Sequence, residues 1–85
     1  MNYRITVRVM PKAGISDPEG MAILDAAHHL GHDKVMNVHA GKSFEIEGAF
    51  DSIDEARERT HELAERLLAN PVIETFELVG VEEFS

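Results

Sequence analysis

The eight residues from 67 to 74, Leu-Leu-Ala-Asn-Pro-Val-Ile-Glu, constrain the fold of this chain more than any other stretch. An apolar helical face runs into Asn70, which tolerates the left-handed backbone conformation, and then into Pro71, which cannot continue a helix. The β-branched pair Val72 and Ile73 follows at once and favours a strand. The sequence therefore predicts that a long helix ends here and that a strand begins directly after it.

Length and composition predict one small domain over residues 1–85. A chain of 85 residues with 44% apolar content buries only roughly 60–65% of its unfolded surface, so self-association would help its stability. The net charge of -8 disfavours binding to polyanions, and we expect no nucleic-acid or membrane partner. The chain has no cysteine, which excludes disulfides and thiolate chemistry. With neither a signal peptide nor a membrane span apparent, we expect a cytoplasmic protein.

The pattern of apolar residues predicts six elements in the order strand, helix, strand, strand, helix, strand. The predicted strands are residues 2–10, 34–40, 43–47 and 72–79, the predicted helices are residues 18–30 and 51–70, and residues 80–85 form an acidic tail. Gly41 and Lys42 are predicted to turn one strand into the next. This order indicates an α+β fold, a ferredoxin-like βαββαβ sandwich in which an antiparallel four-stranded sheet carries two helices on one face.

Capping residues mark both helices. Asp17 before Pro18 is a typical helix opening, and Gly31 lies where a left-handed terminator belongs. Ser52 and Glu55 have the spacing of a capping box. The second helix carries the clearest apolar stripe in the chain, formed by Ile53, Ala56, Thr60, Leu63 and Leu67.

Motifs that would carry chemistry fail at decisive positions. His28 and His32 have helical spacing for a shared metal, but Gly31 intervenes and no carboxylate completes the set. His61 and Glu62 begin like a metalloprotease motif, whose second histidine would have to replace Glu65. Charged residues along the second helix are best read as a solvated face. We therefore expect no catalytic, cofactor-binding or metal-binding residue in this chain.

Basic residues outside the helices are the candidates for contact with a partner. Arg4 and Arg8 share the polar face of the first strand, which the predicted helices do not cover. Lys12 follows in a loop with Gly14 and could meet an anion or a carboxylate. The alternative is that these charges serve solubility alone, because isolated surface ion pairs contribute little.

The chain as a whole resembles PurS, the small subunit of phosphoribosylformylglycinamidine synthase in bacterial and archaeal purine synthesis. The segments that carry the resemblance are Tyr3 to Val9, Asp17-Pro18-Glu19-Gly20, Leu30-Gly31-His32, Val38 through Gly41-Lys42, and Leu68 to Glu74. His39 stands where many members of this family would be expected to have arginine. His39 and Lys42 lie within these segments and complete the set of candidate partner contacts.

The resemblance implies a subunit without an active site of its own. It implies that a larger synthetase subunit and a glutaminase subunit convert formylglycinamide ribonucleotide, glutamine and ATP into formylglycinamidine ribonucleotide, glutamate, ADP and phosphate. ATP and Mg²⁺ would be used by the synthetase subunit and not by this chain. The small subunit would bridge the other two, help ammonia to pass between them, and associate with itself as a dimer or tetramer.

Two other functions stay open at the level of sequence. A stand-alone regulatory module of ferredoxin-like shape could bind a small effector at a dimer interface. An acylphosphatase-like hydrolase would need a glycine-rich loop and an arginine after the first strand, where this chain offers only Lys12 and Gly14.

Overall fold

The computed structural model describes all 85 residues, and the first strand lies at its centre. Strand β1 (Asn2–Pro11) pairs antiparallel with β2 (Lys42–Ala49) on one side and with β3 (Glu74–Phe84) on the other, so the sheet order is β2-β1-β3. Two α-helices accompany the sheet, α1 (Pro18–His29) and α2 (Ile53–Leu63). The predicted α+β class is confirmed, with three strands instead of four.

The core is built on one face of β1. Its alternate side chains Tyr3, Ile5, Val7 and Val9 are buried, as the period of a half-buried strand requires. Small residues of the second helical segment, Ala56 and Ala64, belong to the same buried cluster and allow that segment to approach the sheet closely. The apolar residues packed around this cluster are Phe44, Ile46, Phe50, Leu68, Phe76, Leu78 and Val81.

A β-bulge at Val79 makes β3 longer than its sequence pattern predicts. Thr6 pairs with Gly80 and Val7 with Leu78, so Val79 is the extra residue on this strand. The bulge shifts the alternation by one, which keeps Val81 on the core face beside Ile5 and sends Glu82 to the opposite face. Residues 80–84 therefore belong to the sheet, and the predicted free tail is wrong.

The second helix ends in a π-helical turn, Ala64–Leu68, in which the Ala69 amide donates to the Ala64 carbonyl at 2.9 Å. The extra residue in this turn rotates the following side chains about the helix axis. Leu68 packs on the core, whereas Leu67 is 72% exposed. The predicted stripe is therefore right at Ala56 and Thr60, which are buried, and wrong at Ile53, which is 43% exposed, and at Leu67. At Leu67 the reason is that the spacing assumed an unbroken α-helix.

The junction after this turn is held by an Asx turn. The Asn70 side chain accepts a hydrogen bond from the Val72 amide at 3.1 Å, and the Asn70 amide donates to the Glu74 carboxylate at 2.8 Å. No residue other than glycine has a positive φ, so Asn70 does not use the left-handed conformation. The helix stops before Pro71 as predicted. Strand β3, however, starts at Glu74 and not at Val72, because residues 71–73 form a turn held by this side-chain bonding.

The caps of both helices are confirmed. Asp17 accepts from the Gly20 amide at 2.9 Å, and Ser52 accepts from the Glu55 amide at 3.1 Å. Gly31 ends α1 with φ of 94°. A side chain at Gly20 would clash with the Val38 carbonyl, so this glycine lets α1 lie against the segment that follows it.

The predicted strand over residues 34–40 is wrong, because this segment bonds to α1 and its cap instead of to the sheet. The Val35 carbonyl is 2.7 Å from His28 Nε2, and the Ala40 amide donates to Asp17 Oδ2 at 2.9 Å. Backbone groups used in this way are not available to a sheet ladder. The Gly41-Lys42 hairpin is consequently absent, and Gly41 instead packs against Val9 and Met10.

The chain is elongated, with a Cα radius of gyration of 16.3 Å and a longest dimension of 50 Å. A compact domain of 85 residues would have a radius of gyration of about 12 Å. Its accessible surface is 6186 Å², whereas a folded monomer of 9.5 kDa exposes about 5,000 Å². The isolated chain therefore exposes about 1,100 Å² more than its mass requires.

Replacing Thr60 by valine should stabilise the fold. The Thr60 side chain is 1% exposed, and its Oγ1 has no hydrogen-bond partner. Valine of similar shape removes the unsatisfied polar group, and we expect the free energy of unfolding in urea to rise by about 1 kcal/mol. The exposed residue Thr75 offers the control, for which Thr75→Val should change stability by less than about 0.5 kcal/mol. Destabilisation by Thr60→Val would show that the hydroxyl is satisfied.

Candidate partner-contact surfaces

The open face of the sheet, opposite the core, carries a charged network centred on Arg4. Its guanidinium bonds to Glu47 on β2 at 3.2 Å and to Glu82 on β3, and it stacks over the Phe84 ring with 4.6 Å to the centroid. The hydrogen bonds that Arg4 donates to these carboxylates, to Glu82 first and to Glu47 second, raise the pKa of Arg4 above its ordinary value. One side chain thus links all three strands through their polar faces.

Arg8 makes a simpler contact on the same face. Its guanidinium bonds to Glu77 on β3 at 2.6 Å, and both side chains are more than half exposed. Because four glutamates and two arginines share this face with Thr6 and Ser43, the open face is polar and carries an excess of negative charge. The glutamates are Glu45, Glu47, Glu77 and Glu82.

Lys12 and Lys42 lie at the end of the sheet where β1 finishes. Lys12 clamps the junction, because its Nζ donates to the Pro71 carbonyl at 2.7 Å and its amide donates to the Ile73 carbonyl at 2.8 Å. Lys42 Nζ lies 3.8 Å from the Glu74 carboxylate, and Glu74 pairs with Pro11 in the sheet register. These two lysines therefore hold the ends of the three strands together.

His39 lies beside the cap of α1. Its Nδ1 is 4.0 Å from Asp17 Oδ2, the atom that also accepts from the Ala40 amide. His39 also lines a cavity of about 300 Å³ whose other walls are residues 10–15, including Lys12. Hydrogen bonds from the Gly20 amide first and the Ala40 amide second, with a smaller contribution from His39, lower the pKa of Asp17.

The five candidate residues thus fall into two groups, Arg4 and Arg8 on the open face and Lys12, His39 and Lys42 at the end of the sheet. Each has an intramolecular neighbour of complementary polarity, which sequence reasoning did not foresee. The role of Glu47 as a neighbour of Arg4 could have been predicted from the sequence of β2, because Glu45 and Glu47 are two residues apart and so lie on the same face of the strand. Glu82 and Phe84 could not, since only the bulge turns them towards Arg4.

No group of three or more histidine, aspartate or glutamate side chains is placed so that it could hold a metal ion. Neither helix has the length and apolar character that a membrane crossing demands.

Both the sequence and the fold of this chain match known proteins of one family. Residues 4–82 match the family model PurS, described as phosphoribosylformylglycinamidine (FGAM) synthase. The chain belongs to the PurS family. The PurS subunit of Archaeoglobus fulgidus is 43% identical over 71 residues, which cover 84% of this chain and 89% of that protein.

Solved structures of PurS have the same architecture. Thermus thermophilus PurS superimposes with a TM-score of 0.92 at 35% identity and covers all of both chains. The PurLQS structure from Thermotoga maritima contains a chain that matches with a TM-score of 0.83 at 26% identity, covering 99% of both chains. The resemblance inferred from sequence is confirmed, and PurS is a subunit of FGAM synthase in purine biosynthesis.

Protonation of Asp17 should weaken the fold at acid pH. Because the folded-state pKa of Asp17 is lowered, its contribution is complete above the unfolded value of about 3.9 and is lost as pH falls through the folded value. Asp17→Asn removes this titration and one acceptor for the two amides. We expect urea unfolding to show a shallower loss of stability below about pH 4 in Asp17→Asn than in the parent chain.

The exposed residue Asp33 provides the matched control for this titration. Asp33→Asn makes the same chemical change outside the cap of α1 and should leave the acid dependence close to that of the parent. Equal slopes for Asp17→Asn and the parent would show that the two amide bonds do not stabilise the ionised carboxylate.

Proposed function

We propose that this chain is the small accessory subunit of an FGAM synthase and works with a PurL-type synthetase and a PurQ-type glutaminase. The observation that carries the proposal is the match of residues 4–82 to the PurS family. The likeness to the chain of the PurLQS structure supports a role inside such a complex. The assembled enzyme would transfer ammonia from glutamine to formylglycinamide ribonucleotide at the expense of ATP, with ATP and Mg²⁺ used by the synthetase.

The contribution of this chain would be to bridge the two larger subunits. The five candidate residues contact strands and loops of the free chain, so they present a preformed surface. A rigid bridge keeps the glutaminase and synthetase sites aligned, and ammonia then passes between them without being lost to solvent as ammonium. Such a complex would work in the cytoplasm, where the sequence led us to expect this chain.

The open face of the sheet is the surface that we assign to a larger subunit. No helix of this chain covers it, and its side chains are already ordered by the Arg4 and Arg8 ion pairs. Order of this kind lowers the entropy lost on binding, because the arginine rotamers are fixed in advance. Lys12, His39 and Lys42 would form a second contact at the end of the sheet.

Self-association is the other part of the proposal. The excess of about 1,100 Å² of exposed surface per chain exceeds the roughly 800 Å² that each partner buries in a standard interface. We infer a dimer or a tetramer on this ground. The outer edge of β2 is also unpaired, and the ferredoxin-like four-stranded arrangement would be completed only where an assembly supplies a strand to that edge.

Reconstitution tests the proposed function directly. The cognate synthetase and glutaminase subunits should show strong glutamine-dependent activity only when this chain is added. Activity supplied with ammonium salt should depend on it far less, because free ammonia bypasses the glutaminase. Equal glutamine-dependent rates with and without the chain would show that it is not a working subunit of the complex.

A charge reversal on the open face tests the assigned surface. Arg8→Glu should weaken binding to the larger subunits by roughly tenfold or more, since it breaks the Glu77 pair and adds a like charge to the face. Arg59→Glu is the matched control on α2, where Arg59 is similarly exposed and lies 4.0 Å from Glu62. Calorimetric titration measures both affinities, and thermal unfolding checks that both variants fold. If Arg8→Glu and Arg59→Glu bound the larger subunits with equal affinity, the open face would not be the binding surface.

A further inference from the structure

Strand β3 has a free outer edge. It is an edge strand of the sheet, because β1 is its only neighbour in the order β2-β1-β3. Apart from the ladder with β1, no backbone hydrogen bond of the chain uses an amide or carbonyl of residues 75–84. In an antiparallel strand every second residue directs these groups away from its partner. The outer side of β3 therefore offers a row of unused backbone donors and acceptors.

The part of this outer side that is formed by residues 74–78, here called the β3 edge, has little protection against a further strand. Natural edge strands avoid such pairing by means of proline, lysine and β-bulges. Residues 74–78 contain neither proline nor lysine, and the bulge lies beyond them at Val79. Their only charged side chains are Glu74 and Glu77. The β3 edge therefore repels an acidic strand but not a basic one.

A groove runs between the β3 edge and the second helical segment. It consists of two adjoining cavities of about 520 Å³ and about 290 Å³, which share Phe76 and together are lined by all of residues 74–78. Phe76 and Leu78, both half-buried, form an apolar floor. The His61 ring forms part of one wall, with 5.0 Å between its centroid and that of Phe76. A strand added to the β3 edge would direct every second side chain towards this groove.

The charges of the groove favour a basic occupant. Asp54 and Glu58 lie one turn apart on its helical wall, and neither has a basic side chain within 4.0 Å. Three further glutamates line the two cavities, against two cations, Lys12 and Arg57, of which Lys12 is already bonded to the Pro71 carbonyl. Free carboxylates beside an apolar floor suit a lysine or arginine, whose aliphatic stem packs on the floor while its charged head meets the carboxylates.

We propose that the β3 edge binds an extended segment of another protein, which adds a strand to the sheet and lays lysine or arginine side chains in the groove. The backbone row supplies affinity, and Phe76 with the free carboxylates of Asp54 and Glu58 selects basic residues at alternate positions. The other side of the added strand lies beside the open face, which also carries an excess of negative charge. This site goes beyond the proposed function and does not depend on it, because it uses the β3 edge and the wall of α2 in place of the open face.

A synthetic octapeptide in which lysine alternates with threonine is the probe for this site. Threonine favours a strand, and lysine supplies the charge at alternate positions. We expect the peptide to bind the full chain in calorimetric titration. Hydrogen exchange followed by NMR should show new protection of amides within residues 74–78, with no change at the outer edge of β2, which is the internal control.

Two further peptides and two variants separate the contributions of backbone and charge. Methylation of alternate peptide nitrogens removes backbone donors and should weaken binding by roughly tenfold, and glutamate in place of every lysine should abolish it. Glu58→Lys turns attraction into repulsion on the groove wall and should weaken binding of the lysine–threonine peptide by roughly tenfold. Asp33→Lys is the matched control, because Asp33 is exposed and outside the groove, and it should change the affinity by less than about twofold. Thermal unfolding checks that both variants fold.

Nonspecific attraction is the main alternative, since the chain has a net charge of -8. It predicts that the methylated peptide binds as well as the unmethylated one and that Glu58→Lys and Asp33→Lys weaken binding equally, and either result would overturn the proposal. No binding of the peptide, or protection only at the outer edge of β2, would do the same. Protection of residues 74–78 that grows with the concentration of the chain alone would assign the β3 edge to a second copy and so refute the proposed occupant.

Discussion

Burial of a single row of side chains on β1 is the constraint on which the rest of this structure depends. Tyr3, Ile5, Val7 and Val9 provide most of the fully buried apolar volume, and β1 supplies backbone partners to both neighbouring strands. The second helical segment can cover this row only because alanines line its inner side. With so small a core, any element that does not reach β1 gains little from the hydrophobic effect.

Two irregularities adapt regular elements to that core, and both reshape the surface. The bulge at Val79 keeps Val81 on the core face, and in doing so it delivers Glu82 and Phe84 to Arg4 on the open face. The π-helical turn brings Leu68 to the core and leaves Leu67 outside. Bulges and π-turns of this kind are often associated with functional surfaces. Here they help to order the open face and the junction clamped by Lys12.

The candidate residues that sequence reasoning selected all make contacts within the chain. Arg4 crosses the sheet, Lys12 holds the Pro71 junction, Lys42 meets Glu74, and His39 stands beside the Asp17 cap. A subunit of FGAM synthase that acts by bridging benefits from this order, because a surface that is already fixed can align two larger partners. Membership of the PurS family is shown by sequence and fold together, and the ordered surface fits the bridging role proposed above.

The sequence by itself determined those features that depend on neighbouring residues. The alternation in β1, the caps at Asp17 and Ser52, the left-handed stop at Gly31 and the break at Pro71 all involve groups within a few positions of one another, and the family could be identified from their order and spacing. Only the tertiary structure decided the remaining features, which are the unpaired segment 34–40, the outward Leu67, the strand through residues 80–84 and the position of α1 outside the hydrophobic core. Each of these depends on which distant group a residue contacts, or on a one-residue shift in register. The local periodicity of apolar residues predicts neither.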